Sequence, residues 1–258
     1  YATMESQLDL CAVRDMAWSI GLRPSRTAEL TGDASAIHVM PTMTIGTQNS
    51  SPLQLAAAYA TFASGGTYCD PIAITRIVGA DGSELPVPSA NCNPNALDPN
   101  IANTVTYALQ NVMTQGTGKK SQLSRPSAGK SGTANNNNHT WFIGYTPQIV
   151  TAVWIGNAES DVSMSRMTIN GKYQQRWYGS TLAAPTWRSF METALEGSPV
   201  VGFPAPDPNM VGLPPTPKEP PTPKDDAPAA PTDPAPPVDP APPVDPAPPV
   251  DPGVPPTP

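Results

Sequence analysis

The stretch AGKSGTANNNNHTWFIGYTP, Ala128 to Pro147, decides how the chain is read. Residues 128–134 predict a short strand rich in small residues, and Thr140 to Tyr145 and Ile149 to Ile155 predict two apolar strands joined across Thr146-Pro147-Gln148. Side chains alternate along a strand, so Ser131 and Thr133 share one face, where two hydroxyls can hydrogen-bond a carboxylate. Lys130 points the other way, toward whatever packs behind. Gly132 carries no side chain, which lets an extended peptide approach the strand closely. The backbone N–H of Thr133 can serve as an oxyanion donor if a nucleophile faces it. Alone, Lys-Ser-Gly-Thr is a short string that also suits an ordinary turn or edge strand, so the flanking sequence has to carry the reading.

Upstream, three helices are marked. MESQLDLCAVRDMAWSIG reads as an amphipathic helix ending at Gly21, with Leu8, Ala12, Met16 and Ile20 at helical spacing and no cap before it. In the second, Ser51 caps, Pro52 suits the first helical position and Gly65-Gly66 stops the run LQLAAAYATFA, whose alanines predict close packing. In the third, Asp98 caps, Pro99 opens, and Ile101, Val105, Leu109, Val112 and Met113 form the expected buried stripe before Gly116-Thr117-Gly118. Downstream, Asn170-Gly171 predicts a tight hairpin, and STLAAPTWRSFMETALEG predicts a closing helix with Pro185 in or near its first turn.

Prolines decide how much of the chain can fold. Of 36, 12 lie before Phe203 and 24 lie from Pro204 onward. A proline every two or three residues removes backbone donors and blocks helix interiors, so the globular part is expected to end near residue 203. The tail carries DPAPPV at 233–238, 239–244 and 245–250, which predicts a largely polyproline II rod, rising about 3.1 Å per residue. Such a rod reads as a spacer or docking ligand, or as a solvated low-complexity tail. Two lysines face eight acidic residues there, so the net charge of −7 belongs mostly to the tail. The remainder is near neutral without a basic stripe, which gives no footprint for nucleic acid. No 18-residue apolar run spans a membrane, and no signal peptide is present; the front of a longer protein is expected to precede Tyr1.

Cys69 and Cys92 flank a stretch whose Asp81-Gly82 turn lies between two apolar runs, so a hairpin would bring them together. A disulfide closing that loop and two unpaired thiols are both compatible with the sequence. Cys11 is expected to be a small core residue. With only His38 and His139 available, no Cys/His cluster has metal spacing, and no cofactor is called for.

The blocks GKSGTA, WFIGYTP and TAVWIGN, preceded by SPLQLAAAYATFASGG and followed by YGSTLAAPTWRSFMETAL, resemble the transpeptidase domain of class A, high-molecular-weight penicillin-binding proteins. They occur in the family's order within residues 1–196. The paired cysteines and acidic Pro-rich tail resemble actinobacterial members. The resemblance implies an α+β fold, a partial penicillin-binding-protein or serine β-lactamase-like transpeptidase with an antiparallel sheet flanked by helices. Residues 1–203 would be the C-terminal portion of that domain, lacking its N-terminal part, and 204–258 a disordered Pro/Asp-rich tail. It implies D,D-transpeptidation on the extracytoplasmic face of the bacterial membrane. A serine would attack stem peptides ending in D-Ala-D-Ala, and β-lactams would acylate the same serine. The membrane anchor would lie outside this chain, and the missing N-terminal part would be its structural partner.

Position by position, Lys130-Ser131-Gly132 matches the family's third motif. Lys130 would hold the network linking the motifs, Ser131, Gly132 and Thr133 would bind substrate, and the Thr133 N–H would complete the oxyanion hole. His139 reads as an exposed turn residue without a catalytic role. Two strings mimic the other motifs, Ser127-Ala128-Gly129-Lys130 and Ser89-Ala90-Asn91. In a strand, positions 127 and 130 face opposite sides and cannot share a proton, whereas the helical motif places i and i+3 together. Ser89 sits in an irregular loop beside the cysteines. The resemblance implies, from the family's order, a second motif just before Tyr1 and a nucleophile further upstream, which would leave the sheet with about three of the family's five strands and an edge without its partners. Two alternatives remain at this level: a serine β-lactamase or D,D-carboxypeptidase of the same fold, and a non-enzymatic module binding wall peptides.

Overall fold

The computed structural model describes residues 5–24 and 32–212. The DPAPPV repeats at 233–250, expected to form a polyproline II rod, lie outside the described residues. At the centre is a three-stranded antiparallel sheet, β3-β4-β5, made of β3 (Ala128–Thr133), β4 (His139–Tyr145) and β5 (Val150–Gly156). Its register pairs Thr133 with Thr140, Ser131 with Phe142 and Trp141 with Trp154. Two short ribbons complete the strands: β1 (Ile77–Val78) with β2 (Glu84–Leu85), and β6 (Ser165–Ile169) with β7 (Lys172–Arg176).

Helices lie on both faces. On one, α2 (Pro52–Ala63) packs against β5 and β4, and α3 (Pro99–Thr114) packs against β3. Tyr145 joins that layer, its hydroxyl 2.9 Å from Thr106 Oγ1 and its ring edge-on to Tyr59. On the other face, α4 (Ala184–Ala194) inserts Trp187 against Phe142, ring centroids 5.1 Å apart. The Trp187 indole donates to the Gly144 carbonyl at 3.0 Å. This approach needs glycine, since a Cβ at Gly144 would lie 2.6 Å from the Trp187 ring. Met113, Leu123, Phe142, Ala183, Ala184, Trp187, Met191 and Leu195 form the main core.

The caps of α2 and α3 follow their sequence signals, Ser51 accepting from Gln54 N and Asp98 from Asn100 N. Pro185 sits in the first turn of α4, which a short π-helical segment, Gly179–Ala183, leads into. Asn170 and Gly171 both take positive φ, as the two-residue hairpin between β6 and β7 requires. Cys69 and Cys92 form a disulfide, 2.04 Å between sulfurs, closing the loop that carries β1 and β2.

Three expectations are corrected. Helix α1 (Leu10–Ser19) does have a cap, because Asp9 accepts from Cys11 N and Ala12 N. That leaves Leu8 outside the helix, and Leu8 and Met16 are exposed while Val13, Ala17 and Trp18 turn partly inward. Packing selects that face: Thr61 of α2 donates to the Ile20 carbonyl and Ser19 to the Ala96 carbonyl. Cys11, on the outward side, is a free exposed thiol rather than a core residue. In α3 the buried line is Ala102, Thr106 and Met113, and Ile101 is exposed, because small residues allow close approach and Thr106 reaches Tyr145. Past Phe203 the described residues still touch the rest of the fold. Phe203 packs edge-on to Tyr145 at 5.6 Å, and Met210 Sδ accepts from Thr104 Oγ1.

Candidate active site

The chemistry of β3 depends on which backbone groups face outward. The Ala134 N–H donates to the His139 carbonyl of β4, and in an antiparallel ladder N–H and C=O groups switch sides at each residue. Gly132 and Ala134 therefore bond β4, while Ser131 and Thr133 present their N–H and C=O groups to the opposite edge. Among the described residues no strand pairs with that edge. It is buried at Ala128 and Gly129 and opens toward Thr133.

Both hydroxyls are held. Ser131 Oγ lies 2.8 Å from Thr117 Oγ1, and Thr133 Oγ1 accepts from the Gly179 N–H at 3.0 Å. Thr117 reaches Ser131 because the turn after α3 is folded tightly onto that helix, where a Cβ at Gly116 would lie 2.9 Å from Val112 Cα and one at Gly118 would lie 2.6 Å from Met113 Sδ. Gly179 sits directly over β3, and a side chain there would collide with the Gly132 and Trp141 carbonyls. The sequence does not single out Thr117 or Gly179: Gly116-Thr117-Gly118 signals a helix stop, and Gly179 lies within the YGSTLAAP block.

Lys130 does not pack behind the strand. It is exposed, and its Nζ donates to the Ser131 carbonyl at 2.7 Å, one of the outward-facing groups of the same edge. A flexible ammonium with three donors can cover such a carbonyl where no neighbouring strand does. Ser127, by contrast, is buried, its Oγ without a hydrogen-bond partner among the described residues, so the two groups occupy different environments. Ser89 is exposed on the disulfide loop, where its Oγ accepts from Asn91 N. His139 begins β4 and is half-buried rather than an exposed turn residue. Its ring leans on Trp154 at 5.7 Å, and Nε2 lies 3.6 Å from Asp161.

The sequence pattern of the penicillin binding protein transpeptidase domain matches residues 25–181, more than half of the chain. The chain belongs to that family. Penicillin-binding protein 1A of Neisseria lactamica is 35% identical over 184 residues, which are 69% of this chain and 22% of that protein. The structure of the penicillin-binding protein PonA1 from Mycobacterium tuberculosis superimposes with a TM-score of 0.68 at 30% identity, covering 86% of this chain and 58% of that one. A second structure of PonA1, in complex with penicillin V, gives the same TM-score at 28% identity, covering 80% of this chain and 55% of that one. The chain thus spans about a fifth of the length of the curated relative it matches and carries part of the penicillin-binding-protein transpeptidase fold, mixed helices and antiparallel strands.

Proposed function

We propose that this chain supplies the substrate-binding edge of a serine D,D-transpeptidase that cross-links peptidoglycan outside the bacterial cytoplasmic membrane and is acylated by β-lactams. The observation that carries this reading is the open edge of β3, where Ser131 and Thr133 turn backbone groups outward beside Lys130. The penicillin V complex of PonA1 supports a β-lactam as ligand. An extended stem peptide would add to β3 as a further strand, a mode in which main-chain hydrogen bonds supply affinity. Ser131 and Thr133 would hold its terminal carboxylate, and the Thr133 N–H would donate to the oxyanion formed at the penultimate carbonyl. The serine Oγ would bond to that carbonyl carbon, the peptide C–N bond would break, and the terminal D-alanine would leave with the proton. An amine of a neighbouring peptide would then displace the serine. Lys130 would stabilise the proton network of that exchange. Neither Ser127, buried without a hydrogen-bond partner for its Oγ among the described residues, nor Ser89, exposed on the disulfide loop, is read as that serine.

Labelling with a fluorescent penicillin tests this on the full-length protein containing the chain. One label per molecule is expected, on a serine other than Ser127 and Ser89. Lys130→Ala should slow acylation by roughly a hundredfold or more, the range for loss of a proton-transfer group. Ser127→Ala should change the rate less than twofold. Stoichiometric labelling at Ser127 or Ser89, or an unlabelled full-length protein, would overturn the reading, and steady nitrocefin turnover would make it a β-lactamase instead.

A further inference from the structure

The turn after β3 opens into a polar pocket that the transpeptidase reading leaves unused. Asn136, Asn137, Ser163, Ser165 and Arg176 line a cavity of about 290 Å3. Its walls are tied together: Asn137 Nδ2 donates to the Trp177 carbonyl at 2.8 Å, Ser163 Oγ donates to the Asn136 carbonyl, and Met164 N donates to the Asn137 carbonyl. Asn136 and Asn137 both hold positive φ, a conformation that asparagine tolerates better than most residues. What the walls leave over is cationic. No hydrogen bond or ion pair engages the Arg176 guanidinium or the Asn136 amide among the described residues, while every other wall side chain bonds within the wall. Arg176 and Asn136 are themselves exposed, so the pocket offers an accessible planar cation and an amide N–H2, a combination that matches a carboxylate, which a guanidinium binds through two parallel N–H groups.

The pocket also lies where a peptide on β3 would pass. That edge is buried at Ala128 and Gly129 and opens toward Thr133, so a peptide anchored by its terminal carboxylate at Ser131 and Thr133 leaves toward the turn. Asn136 follows Thr133 by three residues, inside the tight turn Asn135–Asn137 that ends the strand, where the Asn137 N–H bonds back to the Ala134 carbonyl. The segment from Trp177 to Gly179 ties Arg176 to the same place, bonding Asn137 at one end and Thr133 Oγ1 at the other.

We infer that Asn136 and Arg176 form a subsite for a carboxylate carried by the third or fourth residue from the C-terminus of the peptide bound along β3. The subsite rests on the transpeptidase reading and adds to it a preference for an acidic over an amidated peptide. The test uses the full-length protein and acetylated tetrapeptides ending in D-Ala-D-Ala, with Glu or Gln at the third or the fourth position from the C-terminus. Each peptide is scored by its protection against fluorescent penicillin, relative to the same variant's rate without peptide. At one of the two positions Glu should protect at about tenfold lower concentration than Gln. Arg176→Gln should abolish that difference, Arg176→Lys should keep part of it, and Asn136→Asp should reverse it by placing a like charge against the ligand. Equal protection by the Glu and Gln peptides at both positions, or an unchanged preference in Arg176→Gln, overturns the subsite while leaving the transpeptidase reading in place. A protein that penicillin never labels removes both.

Discussion

Gly179 governs how closely the lead-in to α4 approaches β3, and its N–H holds Thr133 in place. Gly179→Ala should therefore act on stability and on the site together. Overpacking of this kind typically costs about 1–3 kcal/mol. Both the denaturation midpoint and the rate of penicillin acylation of the full-length protein should fall, and a variant with normal values of both would show that the contact is slack. Tyr59 offers a second residue-scale test. Burial pushes its phenol up to about 12, so the folded state holds a proton that an unfolded phenol releases near pH 10. This contribution is complete below about pH 10 and is lost as pH rises toward 12, by roughly 1 kcal/mol per pH unit at most. Tyr59→Phe should flatten the decline in stability over that window, as urea midpoints measured at several pH values would reveal. At this scale Lys130, Ser131, Gly132 and Thr133 stand out as candidates in the sequence because one strand carries them. Thr117 and Gly179 do not, since their proximity depends on where α3 ends and how α4 begins.

The elements most readable in advance are those with local chemistry of their own. Asn170-Gly171, Ser51-Pro52 and Asp98-Pro99 settle their backbone within a few residues, and the hairpin and both helix starts lie where these signals put them. The faces of α1 and α3 were misread because a 3.6-residue period tolerates a rotation by one residue when apolar side chains are plentiful. Only the neighbouring element, Thr61 against Ile20 or Tyr145 against Thr106, selects between the choices. The β1–β2 ribbon is a distinct case. With two residues per strand and Val78 and Leu85 exposed, it buries little of its own. The Cys69–Cys92 bond, spanning 23 positions, should hold much of that loop in place. Replacing both cysteines with serine is expected to lower stability by about 3 kcal/mol on the loop-closure argument. Proteolysis within residues 70–91 should rise more than cleavage of the sheet, and unchanged proteolysis in this loop would place its stability in the surrounding packing instead.

For the molecule as a whole, both outer edges of the central sheet are without a partner strand among the described residues. At β5 the ladder turns the backbone groups of Ala152 and Trp154 outward, on a strand of mostly apolar residues with no charge to discourage pairing. The 258-residue chain expressed by itself is expected to self-associate, as light scattering after size exclusion would show. A monodisperse monomer would mean that this edge is covered by other means. The sequence by itself determined the three strands around Lys-Ser-Gly-Thr, the caps of α2 and α3, the tight hairpin and the family, because each rests on contacts within a few residues or on blocks in a recognisable order. Only the tertiary structure decided which helix faces are buried, that Phe203 and Met210 pack against Tyr145 and Thr104, and that Thr117 and Gly179 hold the two hydroxyls of β3. Those outcomes depend on close packing between segments far apart in the chain, where one glycine or one buried hydroxyl selects among arrangements that local periodicity leaves equivalent.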